Sequence, residues 1–178
     1  LLFVGNMAYP PNVAAAQRLV REILPAIRRH RPKTSLTIAG ASPTAAVRAL
    51  AGDGVRITGR VDDMAPWYHR SRVFVAPMTF GTGLQNKLLQ AMATGVPCVT
   101  TSVAARSLES ARDGLVVADG SADLADACRS FLDDPASATA IATTALDIVR
   151  RRYTWMDAVE PLEALISNPQ PNPRSTAR

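Results

Sequence analysis

The chain has 178 residues, 47% of them hydrophobic, enough to bury the core of one ordinary domain. Its 20 Lys and Arg against 15 Asp and Glu leave a net charge of +5, a mild and dispersed excess that suits an anionic small ligand and, without a basic block interleaved with aromatics, argues against nucleic acid. No apolar run reaches the ~18 residues of a membrane span and no signal-peptide pattern opens the chain, while Cys98 and Cys128 lack metal-ligand spacing and read as reduced core residues of a cytosolic protein.

The first element is the strand-like run LLFVG (1–5), followed by a helical period over 13–27. A chain that opens on a strand with Leu as residue 1 reads as a piece of a longer protein. Next come SLTIAG (35–40) and a helix over 43–50, GVRITG (54–59) and a helix over 63–69, then RVFVAPM (72–78) and a helix over 84–93. PCVTT (97–101), a short irregular piece and GLVVA (114–118) lead to helices beginning at Ala122, Pro135 and Trp155. Apolar, non-alternating strands separated by helices mean a parallel sheet covered on both faces, an α/β doubly wound, Rossmann-like domain. The domain is set at residues 1–166. The remaining 167–178, SNPQPNPRSTAR, carries three prolines and no apolar periodicity and reads as a disordered tail or expression remnant.

In such sheets ligands bind beyond the carboxyl ends of the strands, where strand order reverses. The loops that matter are therefore Gly5-Asn6, Gly40-Ala41, Gly59-Arg60-Val61 and 80–83. Glycine after a strand lets a ligand approach the backbone, or simply closes a tight turn. In the last loop Gly81 and Gly83 precede a helix whose free N–H groups and dipole favour an anion, with phosphate the natural tenant. The loop lacks the Gly-Lys-Ser/Thr ending of a P-loop and the third glycine of a dinucleotide fingerprint.

GLQNKLLQAMATGVPCVTT (83–101) resembles the signature of the retaining family 4 glycosyltransferases, usually Glu-Gly-Phe-Gly-Leu-Pro-x-x-Glu-Ala-Met-Ala-x-Gly-x-Pro-Val-Val. The stretches 4–43, 55–78 and 150–166 are similar to successive segments of that family's nucleotide-sugar domain, so the likeness spans about 2–166. The Gln-Asn-Lys wording and the YPPN of 9–12 are similar to bacterial exopolysaccharide sugar transferases. The resemblance implies the GT-B architecture, two Rossmann-like domains across a cleft. This chain would be the C-terminal one, which binds a nucleoside diphosphate sugar, and an N-terminal domain elsewhere in the protein would hold the acceptor. It further implies a cytoplasmic protein, at the inner face of the membrane if that other domain associates peripherally with it, and no cofactor or metal.

By this resemblance Gly81, Thr82, Gly83, Leu84, Gln85 and Asn86 hold the diphosphate and donor sugar, with the backbone N–H groups of Gln85 and Asn86 as donors. Lys87 adds a point charge to a phosphate oxygen, or is a solvated helix lysine. Gly59, Arg60 and Val61 run along the nucleobase, where Arg60 stacks on the base or faces water. Where the family carries two glutamates eight positions apart, this chain has Thr82 and Gln90. Gln90 keeps an acceptor for ribose hydroxyls, and Thr82 keeps a hydroxyl but loses reach and charge. The Arg and Lys that many members carry after the first strand are absent, leaving Asn6 or Asn12 as neutral donors.

His30 and His69 read as helix-end cations and Asp63, beside Asp62, as a helix cap. No general base is assigned. Two other readings stand beside a working transferase. One is a non-catalytic binding or interaction module that has lost its acidic pair. The other is an unrelated doubly wound protein, such as half of a sugar-nucleotide epimerase or a regulatory ligand-binding domain.

Overall fold

The computed structural model describes residues 1–81, 83 and 85–153. Six strands form one parallel sheet: β1 (Leu2–Val4), β2 (Leu36–Ala39), β3 (Val55–Ile57), β4 (Phe74–Ala76), β5 (Cys98–Thr100) and β6 (Leu115–Val117), in the order β3-β2-β1-β4-β5-β6. The central strands β1, β4 and β5 are buried at every residue, whereas the edge strands β3 and β6 are partly open. Continuous apolar runs such as Leu2-Phe3-Val4 form such strands because both faces of the sheet are covered and neither side of the pleat can be polar.

The helices are α1 (Pro10–Arg18), α2 (Leu24–Arg28), α3 (Ala45–Arg48), α4 (Ala65–His69), α5 (Asn86–Ala93), α6 (Ser102–Ala105), α7 (Ser121–Asp133) and α8 (Pro135–Arg152). The first helical period is longer than 13–27. It starts at Pro10-Pro11, whose missing N–H groups cost nothing in a first turn, and runs through a π-type segment, Leu19–Ile23, into α2. Pro25 explains that interruption, since its ring crowds the carbonyl four residues back and cannot donate to it. The piece read as irregular is α6 followed by a 3-10 segment, Arg106–Gly114. The helix expected from residue 84 begins at Asn86, because Gly83 at φ +86 and Gln85 at φ −85, ψ 72 are not helical.

Helix α8 begins at Asp134, whose carboxylate accepts from Ala136 N at 3.0 Å and Ser137 N at 3.1 Å, and ends on Arg150, Arg151 and Arg152, which offset its dipole. It packs closely on the 3-10 segment: a Cβ on Gly114 would lie 2.6 Å from Ala145 Cα. Cys98 and Cys128 are free and buried, as expected of core thiols; burial raises both, Cys128 to about 12. No helix among the described residues is long and apolar enough to cross a membrane. The helix expected from Trp155 and the tail at 167–178 lie outside the described residues.

Candidate functional site at the switch point

Strands β1 and β4 lie side by side, yet the chain leaving β1 continues to β2 on one side and the chain leaving β4 to β5 on the other. Their carboxyl ends therefore diverge and open a crevice. The loops after β1, β2 and β3 are joined in series: Gly5 N donates to Ala39 O at 3.0 Å, Met7 N to Ala41 O at 2.8 Å, and Gly40 N to Gly59 O at 3.1 Å. Gly40 is required there, since it sits at φ +140 and a Cβ would stand 1.9 Å from Gly5 O. On the β4 side, Thr100 Oγ1 donates to Ala76 O and Thr101 Oγ1 to Met78 O, fixing the backbone that enters the 77–85 loop. Arg18 spans from α1 to Ser121 Oγ at 2.9 Å and Pro77 O at 3.4 Å.

The two sides meet where Gly81, at φ +130, comes beside Pro11; a Cβ on it would be 3.6 Å from the proline ring. Gly5, Asn6 and Lys87 are brought together around Asn12 and Gly81 stands beside Pro11, while Gly83, Gln85 and Asn86 lie on the stretch between Gly81 and Lys87. Thr82 and Leu84 lie outside the described residues. Gly59, Arg60 and Val61 stand farther along the same edge, after β3, with Arg60 exposed. The N–H groups of Asn86 and Lys87 open α5 and have no intrahelical acceptor, and Gln85 N points at Ser107 Oγ at 3.4 Å.

Lys87 is not a solvated helix lysine. Its ammonium turns inward, donating to Asn12 Oδ1, lying 3.7 Å from Met78 Sδ and 5.1 Å from the centroid of Phe3. Burial lowers its pKa to about 8. Among the described residues no carboxylate pairs with it. The expectation that Asn12 donates to a ligand is corrected: it is 4% exposed and its Nδ2 donates to Asn6 O at 2.9 Å. Asn6 itself is exposed, and its Oδ1 accepts from Ala8 N at 3.0 Å, which leaves its NH2 available.

Gln90 sits on the exposed side of α5. Its Oε1 accepts from Tyr68 Oη at 3.3 Å, a hydroxyl also 3.4 Å from Lys87 O. Tyr68 is 2% exposed, and burial pushes its pKa well above the usual phenol value. Sequence reasoning missed Tyr68 and the inward Asn12; the YPPN word and the tyrosine in PWYH were visible, but nothing in their spacing states where the side chains point. His69 ends α4, and His30 lies in the turn after α2. Asp63 Oδ1 accepts from Ala65 N at 2.9 Å, a local cap. A cavity of about 810 Å3 opens at the other, amino edge of the sheet, beside Lys33, Arg70 and Arg72. It is remote from the switch point.

A parallel sheet of this order, with a cation and a helix start at its switch point, defines a Rossmann-like domain. The chain belongs to the glycosyl transferases group 1 family, which it matches over residues 1–134. It is 30% identical over 191 aligned positions to glycogen synthase of Mycobacterium tuberculosis, covering 98% of this chain and 45% of that protein. It is also 37% identical over 108 positions, 54% of this chain and 30% of the relative, to the lipopolysaccharide core biosynthesis mannosyltransferase LpsB of Rhizobium meliloti. HepE of Anabaena, solved in complex with UDP and glucose, superposes over 94% of this chain and 48% of its own at a TM-score of 0.76 and 15% identity. The chain spans less than half the length of these relatives. Its fold is that of the Rossmann-like, C-terminal half of a GT-B glycosyltransferase, and the epimerase reading falls.

Proposed function

We propose that this chain is the donor-binding half of a retaining glycosyltransferase that moves a sugar from a nucleoside diphosphate sugar to an acceptor in bacterial exopolysaccharide or cell-surface glycan synthesis. The domain is taken as 1–166, with the acceptor held by an N-terminal domain of the same protein and the enzyme acting in the cytoplasm. The observation that carries the reading is the half-buried, inward-turned ammonium of Lys87, without a carboxylate partner among the described residues, at the crevice between β1 and β4. A buried charge without a counterion is costly unless a ligand supplies one. That HepE was solved with UDP and glucose on the same fold supports a sugar nucleotide as the ligand.

The diphosphate would lie against Gly81, Gly83 and the first N–H groups of α5, within the field of Lys87. The ribose would reach Gln90 and the base the Gly59-Arg60-Val61 loop, while Gly5 and Asn6 border the phosphates from the β1 side. In transfer with retention, the bond from the sugar's anomeric carbon to the diphosphate oxygen breaks, and a bond from the acceptor oxygen forms on the same face. The acceptor's proton passes to the departing phosphate oxygen. Stabilising that developing anion is the work this half can do, through fixed dipoles and one cation. Calorimetric titration with UDP-, GDP- and ADP-sugars tests the reading: one of them binds, and failure of all three refutes it.

A further inference from the structure

We infer that Asn12 is a positioning residue that holds the ammonium of Lys87 at the switch point without neutralising it, so that its whole charge is left for a phosphate-bearing ligand. The inference rests on the reading of the crevice as a diphosphate site. Asn12 is among the few buried polar side chains of the described residues, and both ends of its amide are used: Oδ1 accepts from Lys87 Nζ, and Nδ2 donates to Asn6 O at 2.9 Å. The space for it is built in. A Cβ at Gly5 would lie 2.6 Å from Asn12 Nδ2, so residue 5 has no side chain where Asn12 must sit.

Among the described residues, everything else that contacts the ammonium is neutral: the Phe3 ring from β1 and the Met78 thioether from the loop after β4. The Tyr68 hydroxyl reaches the Lys87 carbonyl and Gln90 Oε1 on α5, not the ammonium. An aspartate has the shape of this asparagine and would also accept from Lys87, but it would form an ion pair and cancel the charge. The amide therefore orients the cation and preserves it, which a carboxylate of the same size could not do. The same contact joins α5 to the β1–α1 loop across the switch point, so cation and loop are set in one arrangement.

The test uses inorganic pyrophosphate as the probe and the side-chain NMR titration of Lys87 as an independent readout. In the unaltered chain Lys87 should titrate well below an ordinary lysine, and pyrophosphate should bind. Asn12→Asp should raise the Lys87 titration to or above the usual lysine range and weaken pyrophosphate at least tenfold at about pH 7. Because Asn12→Asp also loses the bond to Asn6 O, Asn12→Ala serves as control. It removes both contacts without adding charge, should lower the Lys87 titration further, and should weaken pyrophosphate by about three- to fivefold, less than Asn12→Asp does, at about pH 6.5, where the lysine is protonated. Equal losses in the two variants at that pH would mean that only loop order matters, and would overturn the inference. So would an unmoved Lys87 titration in Asn12→Asp, or no pyrophosphate binding by the unaltered chain. Pyrophosphate binding that follows Asn12 in this way, with no nucleotide sugar bound, would instead overturn the donor reading and leave the part played by Asn12 intact.

Discussion

Replacing Lys87 by Met removes the cation while keeping most of the buried stem, and the structure allows its effect on diphosphate binding to be bounded in two ways. A phosphate charge about 5 Å from the ammonium, at an effective dielectric of about 20, interacts by about 3 kcal/mol. Alternatively, a diphosphate that returned Lys87 from about 8 to the ordinary lysine value of about 10.4 would be coupled to it by about 3 kcal/mol, since each pKa unit is about 1.4 kcal/mol. Both are ceilings, because water and salt share the crevice and a bound anion rarely restores full solvation. A loss of about 1 to 2 kcal/mol for a nucleoside diphosphate, with little loss for the nucleoside, is the expected outcome of parallel calorimetric titrations. The pH profile carries a sign as well. Binding favours the protonated lysine, so affinity should be full below about pH 8 and fall as pH rises above it in the parent chain, and be flat in the variant. Equal losses for nucleoside and nucleoside diphosphate, or an unchanged pH profile, would refute the reasoning.

Gln90→Glu should tighten a ribonucleotide more than its 2′-deoxy counterpart, because a carboxylate can accept from Tyr68 and from ribose together; a double-mutant cycle showing no coupling would remove Gln90 from the site. Gly40→Ala should destabilise the chain by several kcal/mol in urea titration, since the added methyl meets Gly5 O and the φ of +140 is strained for alanine. Asp134→Ala should cost about 1 kcal/mol by the loss of the α8 cap, with nucleotide affinity unchanged. Between about pH 8 and pH 10 the folded chain has released the Lys87 proton that the unfolded chain still binds, which opposes the loss of stability from the buried thiols of Cys98 and Cys128, so Lys87→Met should lose thermal stability more steeply with rising pH than the parent chain.

The parallel sheet was legible because runs such as LLFV and VFVAPM allow no wet face, and the ligand-facing edge because glycines follow β1, β2 and β3 and two more precede α5. Chain order alone did not give the side-chain directions. Lys87 stands where helical spacing permits an outward lysine, and only the packing of α5 against Phe3 and Asn12 turns it in. The apolar period puts the start of α5 two residues early because Leu84 fits it, while the backbone of Gly83 and Gln85 delays the first helical turn. The π-type segment in the first long helix was likewise hidden, although Pro25 marks its cause. The 3-10 segment before β6 escaped notice because its polar residues mask the few apolar ones, Leu108 and Ala111, that anchor it to the core.

The central claim, that a nucleoside diphosphate sugar is held at the switch point between β1 and β4, is tested most directly by mapping backbone amide shifts while UDP-, GDP- and ADP-sugars are titrated into the chain. The account predicts saturable shifts for one of these ligands at Gly5, Asn6, Gly59, Arg60, Gly81, Gly83, Asn86, Lys87 and Gln90. Shifts gathered instead at Lys33, Arg70 and Arg72, on the opposite edge of the sheet, would contradict it.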